Sequence, residues 1–186
     1  MTPEPVHRLA CHRFGEGPRQ VLALHCTMAH GGAWRGLAAE MSGTTFHATD
    51  MLNHGRSPDW NGEGDFQQAV MLGVAAYFGE PMDVVGHSFG ATVALRLALE
   101  YPGRVRSLTL IEPVYFAFIR ESNPQLLAEE QSRSAPFREA LAKGDFTLAA
   151  RLFNRGWGNE RGPQWDDLPD ATRAAMIRGV QIVPAC

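Results

Sequence analysis

The sequence predicts an α/β fold, a mostly parallel sheet covered by helices. Three observations lead there. Short apolar runs bounded by turn residues alternate with stretches whose apolar residues recur every three or four positions. Residues 91–99 are apolar almost all round, which places that helix against a buried sheet. The chain has 186 residues, enough to bury about 70% of the surface its unfolded form exposes without metal or disulfide support.

In chain order, residues 6–14 read as extended and residues 15–18 as a turn; residues 21–24 are a short apolar run of the kind found in buried strands. Glycines 31 and 32 precede a helical pattern over 33–41, with Trp34, Leu37, Ala38 and Met41 on one face, and residues 44–48 are extended again. Asp65 is placed to cap a helix carrying Phe66, Ala69, Val70, Val74, Tyr77 and Phe78, which Gly79 and Pro81 stop. Residues 82–86 form a strand, 91–99 the buried helix ended by Pro102 and Gly103, and 107–111 another strand. Beyond Pro113 only helical patterns follow, over about 121–178, separated by Pro136, Gly144, turns at 156–158 and 162–163, and Pro169. The division expected is a core over 1–113 and a helical region over 114–186.

Composition narrows the partners. The net charge of −3 and the lack of a dense Lys/Arg cluster argue against nucleic acid. No apolar run approaches the roughly 20 residues that cross a bilayer, and residues 1–8 do not resemble a secretory leader. Cys11, Cys26 and Cys186 show no C-x-x-C spacing, which fits free thiols in a reducing, cytoplasmic setting and gives no support for metal binding. The expected partner is a small molecule, with no cofactor and no membrane; oligomeric state stays open.

Residues 86–90 read Gly-His-Ser-Phe-Gly, a G-x-S-x-G pattern standing between a strand and the buried helix. A nucleophile on such a sharp turn needs a strained backbone, and small neighbours let the chain pass closely. The turn lifts the Ser88 hydroxyl clear of the sheet and aims the first helical amides, that of Phe89 among them, at the same spot. The plain alternative is a tight strand-to-helix connection with an incidental serine. Two more segments weigh against it: residues 24–32 (Leu-His-Cys-Thr-Met-Ala-His-Gly-Gly) after one strand, able to offer a second oxyanion amide, and residues 50–57 (Asp-Met-Leu-Asn-His-Gly-Arg-Ser) after the next.

In this order and spacing the three segments resemble the α/β-hydrolase superfamily, in its esterase-like branch with a helical lid, over almost the whole chain. His25-Cys26-Thr27 matches the family's His-Gly-x loop with Cys26 in place of glycine, which implies the Thr27 amide as an oxyanion donor. Asp50, Gly55 and Ser57 match a segment that is structural in the family, with Asn53 where a glycine usually stands. The helical region matches the family's lid.

The resemblance also implies an acid and then a histidine after the nucleophile, whereas all seven histidines precede Ser88. It implies further core strands as well, so the chain is expected to be C-terminally incomplete and impaired as a serine hydrolase, with residues 108–111 as an unprotected sheet edge. Glu112, at a strand end, is a candidate acid. His25 and His30 border the oxyanion loop and are weighed as substitute bases; His87, His47 and His54 fit packing or loop roles better. Cys26 is weighed as a nucleophile, but nothing in the sequence lowers its pKa. Alternatives are a non-catalytic protein that keeps the pocket for a small ligand, and carbon–carbon bond hydrolysis or haloperoxidase-like chemistry on the same fold.

Overall fold

The computed structural model describes residues 8–157 and 163–186. Five strands form one sheet in the order β1-β3-β2-β4-β5: β1 Cys11–Phe14, β2 Arg19–Leu24, β3 Thr44–Thr49, β4 Met82–His87 and β5 Val105–Ile111. Strands β2 to β5 run parallel and β1 pairs antiparallel with β3, so the sheet is mostly parallel. Of the extended reading over 6–14, Val6 and His7 lie outside the described residues.

Alternation along the strands sends successive side chains to opposite faces. Val21, Ala23, Phe46, Ala48 and Val85 pack with Trp34 and Ala38, which come from a short 3-10 turn (Gly31–Trp34) and α1 (Arg35–Glu40). The opposite face, with Leu22, Leu24 and Val84 fully or almost fully buried, is covered by α3 (Phe89–Glu100), packed against β2, β4 and β5. α2 (Phe66–Ala75) lies on α3 and is capped by Asp65, whose carboxylate accepts from the Gln68 amide at 3.1 Å. Two boundaries differ from the sequence reading. α2 stops at Ala75, with Tyr77 and Phe78 in the turn that follows. α3 begins at Phe89 and not at 91, because Gly90 must already be helical to pass the end of β2. α3 is buried through Ala94 and at Leu97, but Leu99 is 74% exposed, so its last turn reaches the surface.

The last two strands of the sheet differ in cover. β4 is buried along its length, whereas β5 alternates partly buried and exposed residues at the end of the sheet. Asp83 on β4 ties this side together: it accepts from Arg106 at 2.8 and 2.9 Å, from Ser107 at 2.7 Å and from Arg19. Arg106 foremost, against the cost of burial, holds its carboxyl far below the usual carboxylate range.

Residues 115–184 form a second compact unit, all helical among the described residues: α4 Phe116–Ser122, α5 Pro124–Arg133, α6 Ala135–Ala142, α7 Phe146–Trp157 and α8 Asp170–Val180. α7 packs on α6 and α8, burying Ala149 and Ala150 in a unit that also buries Ala140 and Val180. It continues through Gly156 and Trp157, where the sequence suggests a turn, since glycine is tolerated in a last helical turn; Gly158 and Gly162 lie outside the described residues. Within this unit Leu127, Phe137, Leu141 and Val183, rimmed by Arg120 and Arg138, line a cavity of about 750 Å³.

Candidate active site

Parallel strands end on one edge of the sheet, and ligands of open α/β sheets bind outside that edge. The backbone strain of this protein collects there. Among the described residues the non-glycines with positive φ are Met28 (65°), Asn53 (62°), Ser88 (54°) and Glu112 (47°), and they follow β2, β3, β4 and β5 in turn. Such conformations cost on the order of 1–3 kcal/mol each and persist only where the surroundings enforce them.

At Ser88 the enforcement is visible. Its φ and ψ are 54° and −119°, it stands at the start of α3, and its amide is held by the Ile111 carbonyl of the neighbouring strand at 2.9 Å. The bend leaves no room for a side chain two residues to either side. A Cβ on Gly86 would lie 2.4 Å from the Gly90 carbonyl, and one on Gly90 would lie 2.4 and 2.5 Å from the Leu24 and His25 carbonyls. The two glycines therefore pack the start of α3 onto the end of β2. Ser88 itself is partly exposed, and Phe89 is buried against Phe66 with ring centroids 5.6 Å apart, which anchors the first turn of the helix.

The same contact brings the 25–28 loop beside the turn, because Leu24 is in register with Gly86. Loop shape is set by two buried histidines. The Met51 amide donates to His25 Nε2 at 2.9 Å, which leaves His25 Nδ1–H to donate to the Cys26 carbonyl at 2.8 Å. The Met28 amide donates to His54 Nε2 at 3.0 Å, and His54 Nδ1–H donates to the Leu52 carbonyl at 2.8 Å. With its neighbours fixed in this way, the Thr27 amide makes no hydrogen bond among the described residues, and neither does the Phe89 amide. Unpaired donors in a structured turn are the usual mark of an anion-binding spot.

Among the described residues no histidine presents itself as the base. Burial holds the His25 pKa down to about 3, and both of its nitrogens are used. His30 caps the 3-10 turn by accepting from the Gly32 amide at 3.0 Å, His12 binds Asp50, and His47 faces Gln20 at 2.8 Å. His87 Nε2 lies 3.6 Å from Glu112 Oε2, beyond hydrogen-bond length, and the Glu112 side chain is 85% exposed. Burial pushes the Cys26 thiol pKa up, away from the thiolate that a nucleophile needs.

The segment after β3 is a hydrogen-bonded hub. Asp50, fully buried, accepts from the Gly31 amide at 2.7 Å, the Arg56 amide at 2.9 Å and His12 Nε2 at 3.1 and 3.2 Å. Burial alone would raise its pKa, but the two amides and His12 outweigh it and hold the carboxyl below its ordinary value. Ser57 donates to the Asp50 carbonyl at 2.6 Å and accepts from the Ala10 amide at 2.8 Å. Gly55 is required because its Cβ would fall 2.3 Å from the Asp50 carboxylate. Sequence reasoning missed His12 in this network: 38 residues separate it from Asp50 and no local pattern marks it.

The comparisons with known proteins agree with this fold. Residues 20–170 match the family described as alpha/beta hydrolase fold. This chain belongs to the α/β-hydrolase family. Among relatives of this α/β-hydrolase, pimeloyl-[acyl-carrier protein] methyl ester esterase of Methylococcus capsulatus is 39% identical over 186 residues, covering 91% of this chain and 68% of its own length. Lipase LipV of Mycobacterium tuberculosis is 38% identical over 109 residues, 56% of this chain and 41% of its own. The chain thus spans about two-fifths to two-thirds of the length of these relatives. In fold it is similar to an alpha/beta hydrolase from Sphaerobacter thermophilus, with a TM-score of 0.65 at 22% identity, over 95% of this chain and 67% of that one.

Proposed function

We propose that this α/β-hydrolase chain uses Ser88 as the nucleophile toward a carboxylic ester or related small acyl substrate, with the Thr27 and Phe89 amides as oxyanion donors. The observation that carries the reading is the strained Ser88 turn beside two amides without acceptors. The names of the relatives support the substrate class, since a methyl ester esterase and a lipase both act on an ester carbonyl. In this reading Ser88 Oγ bonds to the carbonyl carbon, and the carbonyl electron pair moves onto oxygen, where the two amides receive it. Collapse of the adduct expels the alkoxide, which takes up a proton, and water then cleaves the acyl-serine. The helical unit acts as the lid that selects the acyl or leaving group.

The step that lacks a partner is removal of the Ser88 proton. Of the described histidines, His12, His25, His47 and His54 are hydrogen-bonded elsewhere, His30 caps the 3-10 turn through Nδ1 and His87 lies 3.6 Å from Glu112, so turnover through the described residues is slow. Without a base, oxyanion donors and binding still leave an acceleration on the order of 10³–10⁴-fold over water. The same engagement of the histidines favours the second reading, a hydrolase fold that holds a small ligand without turning it over. Intact-mass analysis after a fluorophosphonate separates the two. The expected result is a single slowly formed phosphonyl adduct at Ser88, absent in Ser88→Ala, with p-nitrophenyl acetate hydrolysis falling in parallel. A folded chain that takes no adduct at Ser88 sinks the nucleophile reading and leaves the binding one.

A further inference from the structure

We propose that His12, His30 and Asp50 form a binding site for a divalent transition metal of the zinc type, separate from the Ser88 turn. One ligand atom from each of the three lies within 4.8 Å of the others. They come from β1, from the loop after β2 and from the end of β3, so only the folded chain assembles them. His12 Nε2 is already 3.1 and 3.2 Å from the Asp50 oxygens, close to the ~3.3 Å edge between two ligands of a tetrahedral zinc bound at about 2.0–2.1 Å. His30 is exposed, and its ligand nitrogen lies within 4.8 Å of the other two ligand atoms.

The backbone makes room for both rings. A Cβ on Gly31 would lie 2.8 Å from His12 Cδ2, and one on Gly32 would lie 2.4 Å from His30 Cε1, so the Gly31-Gly32 pair is a bed that side chains would fill. The rings lie on it with centroids 6.0 Å apart. Asp50 is already an oriented ligand: the Gly31 and Arg56 amides hold one oxygen each, which is the outer-shell support that metal-binding carboxylates show. The Gly32 amide donates to His30 Nδ1, which leaves Nε2 as the coordinating nitrogen.

Two imidazoles and one carboxylate suit zinc, nickel or copper and not magnesium or calcium. On binding, His12 changes tautomer: the ring proton that Nε2 shares with Asp50 is carried on Nδ1 instead, and the Nε2 lone pair takes the metal. Water completes the shell, since His12 and His30 both reach solvent. The ion would clamp β1 to the loop that carries Thr27.

The test uses the tag-free, chelator-treated chain and zinc chloride, read by calorimetry and by thermal melting. Wild type is expected to take up one equivalent and to melt higher with zinc. His12→Gln keeps a donor for Asp50 and His30→Asn keeps the cap of the 3-10 turn, so both fold; each is expected to weaken zinc by more than about tenfold, the least that loss of mere supporting contacts causes. Absence of zinc uptake by the folded wild type, or equal uptake by wild type and both variants, overturns the proposal.

Discussion

The loops after β3 and β4 both leave their strands through a non-glycine at positive φ, and they use the bend differently. After β3, Asn53 turns the chain and its side-chain oxygen accepts from the Trp60 amide at 2.8 Å, while Asp50 and Ser57 pair with the groups they face. After β4, the Ser88 side chain caps nothing, and the amide that follows it has no acceptor among the described residues. One bend is held by side-chain hydrogen bonds, and the other leaves its serine side chain and the following amide uncapped. The lesson is that strain alone does not mark a site. Strain together with unspent donors is what makes the Ser88 turn the candidate.

The largest expected effect is on the paired side. Asp50→Ala leaves the Gly31 and Arg56 amides and His12 without their acceptor, and unfolding in urea should show a loss of about 3–5 kcal/mol. Acid should act on the same group. Because the Asp50 carboxyl is held below its ordinary value, its contribution is complete above the unfolded pKa and fades as pH falls through the folded one. Asp83 follows the same sign, so stability plotted against pH should drop on the acid side of about 4 and drop less in Asp83→Asn.

Next comes the packing that builds the Ser88 turn. Gly90→Ala drives a Cβ into two β2-end carbonyls and should cost about 3 kcal/mol, with loss of Ser88 labelling in whatever folds.

His25 has a signature of its own. Folded, it stays neutral down to about pH 3, whereas the unfolded chain takes up its proton near 6.5. Stability is therefore lost as pH falls from about 6.5 toward 3, by up to about 1.4 kcal/mol per pH unit. His25→Phe should be less stable at neutral pH, since it orphans the Met51 amide, but its pH slope in that window should be shallower by one proton.

The smallest effect is the sharpest comparison. Ser88→Gly relieves a strained φ without removing a side-chain cap bond and should raise stability by about 1 kcal/mol; Asn53→Gly also frees the backbone but loses the bond to Trp60, and should lower it by about as much. Equal signs in the two melting curves would erase the distinction between the loops.

Much of the Ser88 turn was legible because its causes are local. Gly86, Ser88 and Gly90 sit within five residues, and the strand and helix on either side carry their own periodicities. The Asp65 cap and strands β2 to β5 were readable for the same reason. What the residues alone did not disclose depends on pairing across distance: β1 running antiparallel to β3, His12 meeting Asp50, and the Met28 amide held by His54 from 26 residues away. An isolated histidine has no periodicity that says whether it will be buried, and Met28 has none that predicts a positive φ.

The most direct test is a crystal structure of the chain with Ser88 modified by a fluorophosphonate. The phosphonyl oxygen should lie about 2.7–3.1 Å from both the Thr27 and the Phe89 amide nitrogens, with the backbone at residue 88 still at positive φ. An adduct whose oxygen turns to solvent, or a Thr27 amide bonded elsewhere in the loop, would contradict the assignment of these donors.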